Sequence, residues 1–305
     1  MSRLNYSIDL LQNTYGITCI ENQFISALKY LNAPYQAAYV ESYIDLYDTV
    51  LSFYKLQIEY SYYKGLDRVQ VVSSKLDFAE INSQEESFSN MLITLEHSIH
   101  RGCPIFIHVD PKKLPRSGEI IPWREDHFIA LYGLEQKTIY ALDDVPRRLI
   151  ELSYEAVHEA YQGTVIELKL LAGLNRSSYL EKCRDQMKFI ASQSKRLPYW
   201  NIDDMLQFDE KSIVYLRDAL GIVRISRRRI IAWLHWLAGE YGIRIVGIQE
   251  DLATVINSLD RLYAMVEMYR LRNKINYKFI NDQFEEMVNL EMAWIIKLNE
   301  EGIHG

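Results

Sequence analysis

The spacing of apolar positions changes character near residue 171. Before that point, short apolar runs alternate with turn residues. GCPIFIHVD (102–110), HFIALYGL (127–134) and KTIYALDD (137–144) are rich in Ile, Phe, Tyr and Val and bounded by Gly, Pro or charge, so each predicts a strand; VIELKLL (165–171) predicts another. Helical spacing predicts segments over 19–31, about 38–56, 88–100 and 153–161. Beyond Gly173 the period is helical throughout. Leu252, Val255, Leu259, Leu262, Val266 and Tyr269 recur at steps of three and four, one apolar face of a long helix. Segments at about 178–194, 211–238 and 276–299 behave alike. AGLNRSS (172–178) reads as a junction. The expected class is α+β: a first domain over 1–171 with an antiparallel sheet, then an all-α helical domain over 172–305.

With 305 residues, 49% of them hydrophobic and 25% charged, the chain can bury two ordinary cores. Mean hydropathy is −0.16, and no apolar run reaches the roughly 18 residues of a membrane span. The first residues lack the apolar stretch of a signal peptide. Three cysteines, Cys19, Cys103 and Cys183, are too scattered for a disulfide framework or a four-cysteine metal site. A cytoplasmic location is therefore expected, without a membrane. The net charge of −7 is uneven: residues 1–170 carry 15 Lys and Arg against 23 Asp and Glu, and residues 171–305 carry 19 against 18. An acidic first half argues against a nucleic-acid surface, which needs clustered positive charge.

Candidate chemistry concentrates in GITCIENQFISALKYL (16–31). Ile20, Phe24, Leu28 and Leu31 mark a helical face, and Thr18 with Glu21 three residues on forms the capping-box pattern. Cys19 then becomes the first helical residue, at the positive end of the helix dipole. Cysteines in such positions, especially beside a protonated histidine, have pKa values of about 3.5–7.5. The alternative is a small buried residue, the commonest fate of a free cysteine. A thiolate nucleophile needs an imidazole and a group that orients it. His97 and His100 share a helix but have no third ligand, so no metal site is expected. His127 opens a predicted strand, and a hairpin to the next strand brings Asp143 or Asp144 back beside it. The alternative is an edge histidine with aspartates capping a turn. Arg224, Arg227, Arg228 and Arg229 form a basic run on a helix, either a solvated turn or a receiver of anionic groups. Tyr35, Tyr39, Tyr43 and Tyr47 read as an i, i+4 ladder, packed on the core or lining a pocket.

Cysteine at a helix start, a strand opened by histidine, then an aspartate ending the following strand is an order that resembles papain-like cysteine peptidases. The part HFIALYGL through IYALDD is most similar to the bacteriocin-leader peptidase branch. CPIFIHVDPKKLPRSGEIIPWREDHFIALYGL resembles the N-terminal domain of the butirosin-biosynthesis protein H family, over roughly residues 13–170. The resemblance implies a papain-like first domain with Cys19 as nucleophile, His127 as base and Asp143 as orienter. It implies an acyltransferase of natural-product (antibiotic, nonribosomal peptide or polyketide) biosynthesis. Such an enzyme takes an acyl group from an acyl or peptidyl carrier protein and passes it to an amine acceptor, or releases it by cyclisation. No cofactor of its own is implied; the phosphopantetheine arm arrives on the carrier. Leader peptidases place a glutamine six residues before the cysteine to hold the oxyanion. Here Asn13 stands there, with Gln12 one residue earlier, and the Cys19 backbone N–H is a further donor. The Arg224–Arg229 run is the candidate carrier-docking surface. A cysteine peptidase or thioesterase of the same fold, and a catalytically silent binding scaffold, are the competing readings. Self-association is left open.

Overall fold

The computed structural model describes residues 2–55, 65–115, 127–171, 173, 175–195, 212–272 and 276–301. The polar loop that leads into the histidine strand, residues 116–126, lies outside the described residues. The chain divides into two compact units, Met1–Ala38 with Lys64–Asn175 and Tyr39–Tyr63 with Arg176–Gly305. Residues 39–63, read from the sequence as part of the first domain, thus belong to the helical unit.

The first unit begins with β1 (Ser2–Arg3) and α1 (Cys19–Tyr30). The chain departs through the stretch carrying α2 (Leu46–Lys55) and returns as α3 (Gly65–Lys75), β2 (Ala79–Glu85), α4 (Phe88–His100), β3 (Ile105–Val109), β4 (His127–Glu135), β5 (Thr138–Asp144), β6 (Arg147–Ser153), α5 (Tyr154–Ala160) and β7 (Tyr161–Leu170). Six strands form an antiparallel sheet in the order β2-β7-β3-β4-β5-β6, and β1 pairs with β4 through Ser2↔Leu134. The central strands are apolar without alternation because both their faces are covered: Ile105, Phe106, Ile107, Ile129, Ala130, Leu131, Ala141 and Leu142 are all buried. β6 alternates between exposed and covered positions, and its RRLIELS sequence carries no apolar run to announce it. β2 (AEINSQE) is as polar, and both strands escape a reading based on apolar runs. Ile20, Phe24 and Leu28 of α1 are buried, together with Ile25 and Ala27.

The second unit holds α2, α6 (Arg176–Ser192), α7 (Ser212–Tyr241), α8 (Val246–Arg272) and α9 (Tyr277–Glu301). The spacing along α8 works as expected: Leu252, Val255, Leu259, Leu262 and Val266 are buried. The helix expected over 38–56 is interrupted. Tyr35–Tyr39 is a 3-10 turn and α2 starts only at Leu46, so the four tyrosines do not share one helical face. Among the described residues no helix is long and apolar enough to cross a membrane.

The arginine run is also not what its charge suggested. Arg227 and Arg229 are buried. Arg227 Nε donates to Glu291 Oε1 and Oε2 at 2.8 and 3.1 Å, its Nη2 to the Ile44 carbonyl at 2.9 Å, and its guanidinium lies 4.7 Å from the Tyr43 ring centre. Arg229 lies over Tyr39. Arg228 and Arg224 both pair with Asp260, at 2.7 and 3.4 Å. A buried charge needs a partner to offset its lost hydration. For Arg227 that partner is Glu291, within the helical unit; with two of its members buried and the other two on Asp260, the run Arg224, Arg227, Arg228 and Arg229 is not an open anion-receiving patch.

Candidate active site

The site is built from the first turn of α1, the start of β4 and the end of β5. At α1 the capping box forms as its residues predict. Thr18 Oγ1 accepts from Glu21 N, and Glu21 Oε2 accepts from Thr18 N at 3.0 Å and from Ile17 N at 2.9 Å. Arg68 of α3 holds the other oxygen of Glu21 at 3.6 Å. Cys19 is therefore fixed as the first helical residue, where backbone N–H groups have no acceptor within the helix and the dipole is positive. Gln23, one turn on, donates through Nε2 to the Leu142 carbonyl at 3.1 Å and so fastens α1 to β5.

β3 and β4 pair with Val109 opposite His127, whereas the β4–β5 ladder ends at Ala130↔Leu142. Beyond that last pair, the Phe128 N–H donates to Cys19 Sγ at 3.3 Å. The strand end thus gives the sulfur a backbone hydrogen bond in a buried setting, where such a bond is worth most. His127 and Asp143 are both buried, and His127 Nε2 donates to Asp143 Oδ1 at 2.8 Å. The same oxygen accepts from Val145 N at 3.1 Å, and Oδ2 accepts from Arg148 Nη2 at 3.3 Å. Asp143↔Arg148 is a cross-strand pair of the β5–β6 hairpin, so the hairpin register delivers both groups.

With Nε2 committed, Nδ1 is the ring nitrogen left for the sulfur, and it has no hydrogen-bond partner among the described residues. Cys19 Sγ, a ring nitrogen of His127 and a carboxylate oxygen of Asp144 lie within 4.8 Å of one another. Burial by itself pulls the imidazole pKa down. The hydrogen bond to Asp143, the contact with Cys19 and the charge of Asp144 outweigh it and raise the pKa from 6.5 to about 10. This cluster favours an imidazolium next to sulfur.

Asn22 is the residue the sequence reading overlooked. Its Oδ1 accepts from Thr14 Oγ1 at 2.5 Å and from Gly16 N at 2.8 Å, and its Nδ2 donates to Asp144 Oδ2 at 2.9 Å. It locks the loop before Cys19 to the end of β5. Gly16 lies so close that a Cβ there would sit 2.2 Å from Asn22 Oδ1. One asparagine on an otherwise ordinary helical face sends no signal in the sequence, because its partners are 8 and 122 residues away.

Gln12 and Asn13 are exposed, Gln12 Nε2 is taken by Asp9 Oδ1 at 2.8 Å, and Asn13 adopts a left-handed backbone with φ 54°. Burial pushes the Cys183 thiol up to about 12, against hydrogen bonds from Tyr179 and Trp233, and burial also raises Cys103. His97 and His100 are exposed at the end of α4, and His100 Nδ1 bonds the Glu96 carbonyl at 2.8 Å.

No protein family and no curated protein matches this chain. The arrangement of side chains therefore carries the functional argument.

Proposed function

We propose that the chain is a cysteine-dependent acyltransferase with a papain-like first unit, akin to the butirosin-biosynthesis protein H family, acting in a reducing cytoplasm. The observation that carries the reading is the His127 Nε2–Asp143 Oδ1 hydrogen bond at 2.8 Å, in a ring clustered with Cys19 Sγ; it commits Nε2 and leaves Nδ1 as the nitrogen for the chemistry. In this reading the sulfur of Cys19 attacks the carbonyl of a carrier-bound thioester. The bond between the acyl carbon and the phosphopantetheine sulfur breaks, and the departing thiolate takes the proton held by His127. An amine then attacks the acyl-Cys19 carbonyl, gives a proton to His127, and leaves as the amide while the Cys19 thiolate is restored. Asp143 keeps the ring oriented and supports its positive charge. The carbonyl oxygen is held by the backbone N–H of Cys19 at the start of α1, an electrostatic device of the oxyanion type. The acyl group arrives on a partner carrier protein, and the chain needs no cofactor of its own. The docking surface is not assigned to the arginine run of the helical unit, where Arg227 and Arg229 are buried and Arg224 and Arg228 both pair with Asp260.

Intact-mass spectrometry after mixing with an acyl-carrier thioester tests the reading. An acyl adduct on Cys19, lost in Cys19→Ala and discharged by an added amine, is the expected result. Discharge by water alone would instead make the chain a thioesterase or peptidase. No adduct, with iodoacetamide modifying Cys19 no faster than Cys103 and Cys183, would leave a binding scaffold.

A further inference from the structure

Asp144 is not used by the proposed triad, although it is buried beside it. Its carboxylate belongs to the group with Cys19 Sγ and a His127 nitrogen in which all three ligand atoms lie within 4.8 Å of one another. Thiolate, imidazole and carboxylate are the donor types that zinc-class cations prefer, with bonds of about 2.0–2.3 Å and tetrahedral geometry. From these three residues we infer a second use of the same cluster: a binding site for a borderline-soft divalent cation, zinc above all, that closes the nucleophile reversibly.

The surrounding hydrogen bonds carry this further than the three donors alone. A ligating histidine almost always gives its other N–H to a carboxylate, and a ligating carboxylate is itself hydrogen-bonded. Both supports are present. His127 Nε2 donates to Asp143 at 2.8 Å, which leaves Nδ1, without a hydrogen-bond partner among the described residues, as the nitrogen that would take the metal. Asp144 Oδ2 accepts from Asn22 Nδ2 at 2.9 Å, and Phe128 N–H donates to Cys19 Sγ at 3.3 Å. Three protein ligands leave a fourth position for water, as in open zinc sites. Coordination forms the metal–sulfur, metal–nitrogen and metal–oxygen bonds and releases to solvent whatever protons the sulfur and Nδ1 carried. The sulfur lone pairs are then occupied, and attack on a carbonyl stops. The inhibitory part rests on the acyl-capture reading; the cation site does not.

The test uses the full chain freed of metal by a chelator. Titration with zinc against a chromophoric competitor should give one site per chain. Cobalt(II) should show a near-ultraviolet sulfur-to-cobalt absorption that Cys19→Ser abolishes while Cys103 and Cys183 remain. Asp144→Asn should weaken zinc by at least about 10–100-fold, the loss that even a supporting partner of a ligand causes. Stoichiometric zinc should protect Cys19 from iodoacetamide, and chelator should restore the modification. Cobalt absorption that survives Cys19→Ser, zinc affinity unchanged in Asp144→Asn, or alkylation of Cys19 unaffected by saturating zinc would each overturn the site. If zinc binds as described but the chelated protein never captures an acyl group, the acyltransferase reading fails and the cation site stands.

Discussion

Replacing Asp143 with Asn probes the orientation of His127 most directly. Among the described residues at least three donors converge on this carboxylate: His127 Nε2 at 2.8 Å and Val145 N at 3.1 Å on Oδ1, and Arg148 Nη2 at 3.3 Å on Oδ2. An amide offers one oxygen and one NH2 group, so one of those donors must face another donor. If the oxygen stays toward His127, the Arg148 pairing is lost, and in either orientation the imidazolium loses its anionic partner. A buried hydrogen bond to a charged group contributes about 1.5–3 kcal/mol. At 1.36 kcal/mol per tenfold, removing that support from the charged ring slows acyl capture by about 10- to 150-fold. The assay is the initial rate of Cys19 acylation by a small acyl thioester, read by intact mass in chelator-containing buffer, with near-ultraviolet circular dichroism to confirm the fold. Asp144→Asn is the comparison, because it leaves the His127–Asp143 bond untouched and removes a negative charge near the sulfur. Because the Asp144 charge also supports the imidazolium, it should slow acylation, but less than Asp143→Asn does. Wild-type rates in a folded Asp143→Asn protein, or equal slowing by both substitutions, would refute the role given to Asp143.

Three further outcomes follow from the same geometry. Gly16→Ala puts a Cβ 2.2 Å from Asn22 Oδ1 and 2.7 Å from its backbone N; it should cost about 1–3 kcal/mol in denaturant unfolding and slow Cys19 modification, and an unchanged midpoint would deny the close approach. Glu291→Gln leaves the buried Arg227 guanidinium without its counter-charge, which should cost about 3–5 kcal/mol; a urea midpoint within error of wild type would show that the pair is not buried in solution. Because folding raises the His127 pKa from 6.5 to about 10, the folded chain holds a proton there that the unfolded chain gives up across that window. Its contribution to stability is complete below about 6.5 and fades as pH rises toward about 10. Thermal unfolding of metal-free protein at stepped pH should show this decline, and Asp143→Asn should flatten it; equal slopes in the two proteins would remove Asp143 as the cause.

The contrast between the two arginine-containing clusters is instructive. Arg148 sits on an edge strand that alternates with solvent, yet its contact with Asp143 makes it part of the candidate site. Arg227 stands in the most basic run of the chain and is sealed in helical packing. Local charge density therefore ranked them in the wrong order. Linear charge counts do not know which side of a helix another helix covers, and burial reverses the meaning of a charge.

What the amino-acid order determined by itself was whatever depends on neighbours a few residues apart. The α1 start followed from Thr18 and Glu21, because a capping box closes within three residues. The central strands β3, β4 and β5 followed from unbroken apolar runs between turn residues, and the face of α8 from its spacing. The pairing of His127 with Asp143 was nearly local as well, since a two-strand hairpin fixes which ends meet; the choice between Asp143 and Asp144 was not. Only the tertiary structure decided that Asp143 takes His127 Nε2 while Asp144 turns to Asn22 and the sulfur, because the partners of Asp144 arrive on α1, far earlier in the chain. The fold alone likewise revealed the polar strands β2 and β6, which are stabilised by their ladder partners, distant β7 for β2 and the adjacent hairpin strand β5 for β6, and not by apolar content of their own. The same holds for residues 39–63, whose place in the helical unit rests on bonds such as Arg227 to the Ile44 carbonyl, 183 positions apart. Long-range hydrogen bonds and burial carry that information, and neither has a period that can be read along a chain.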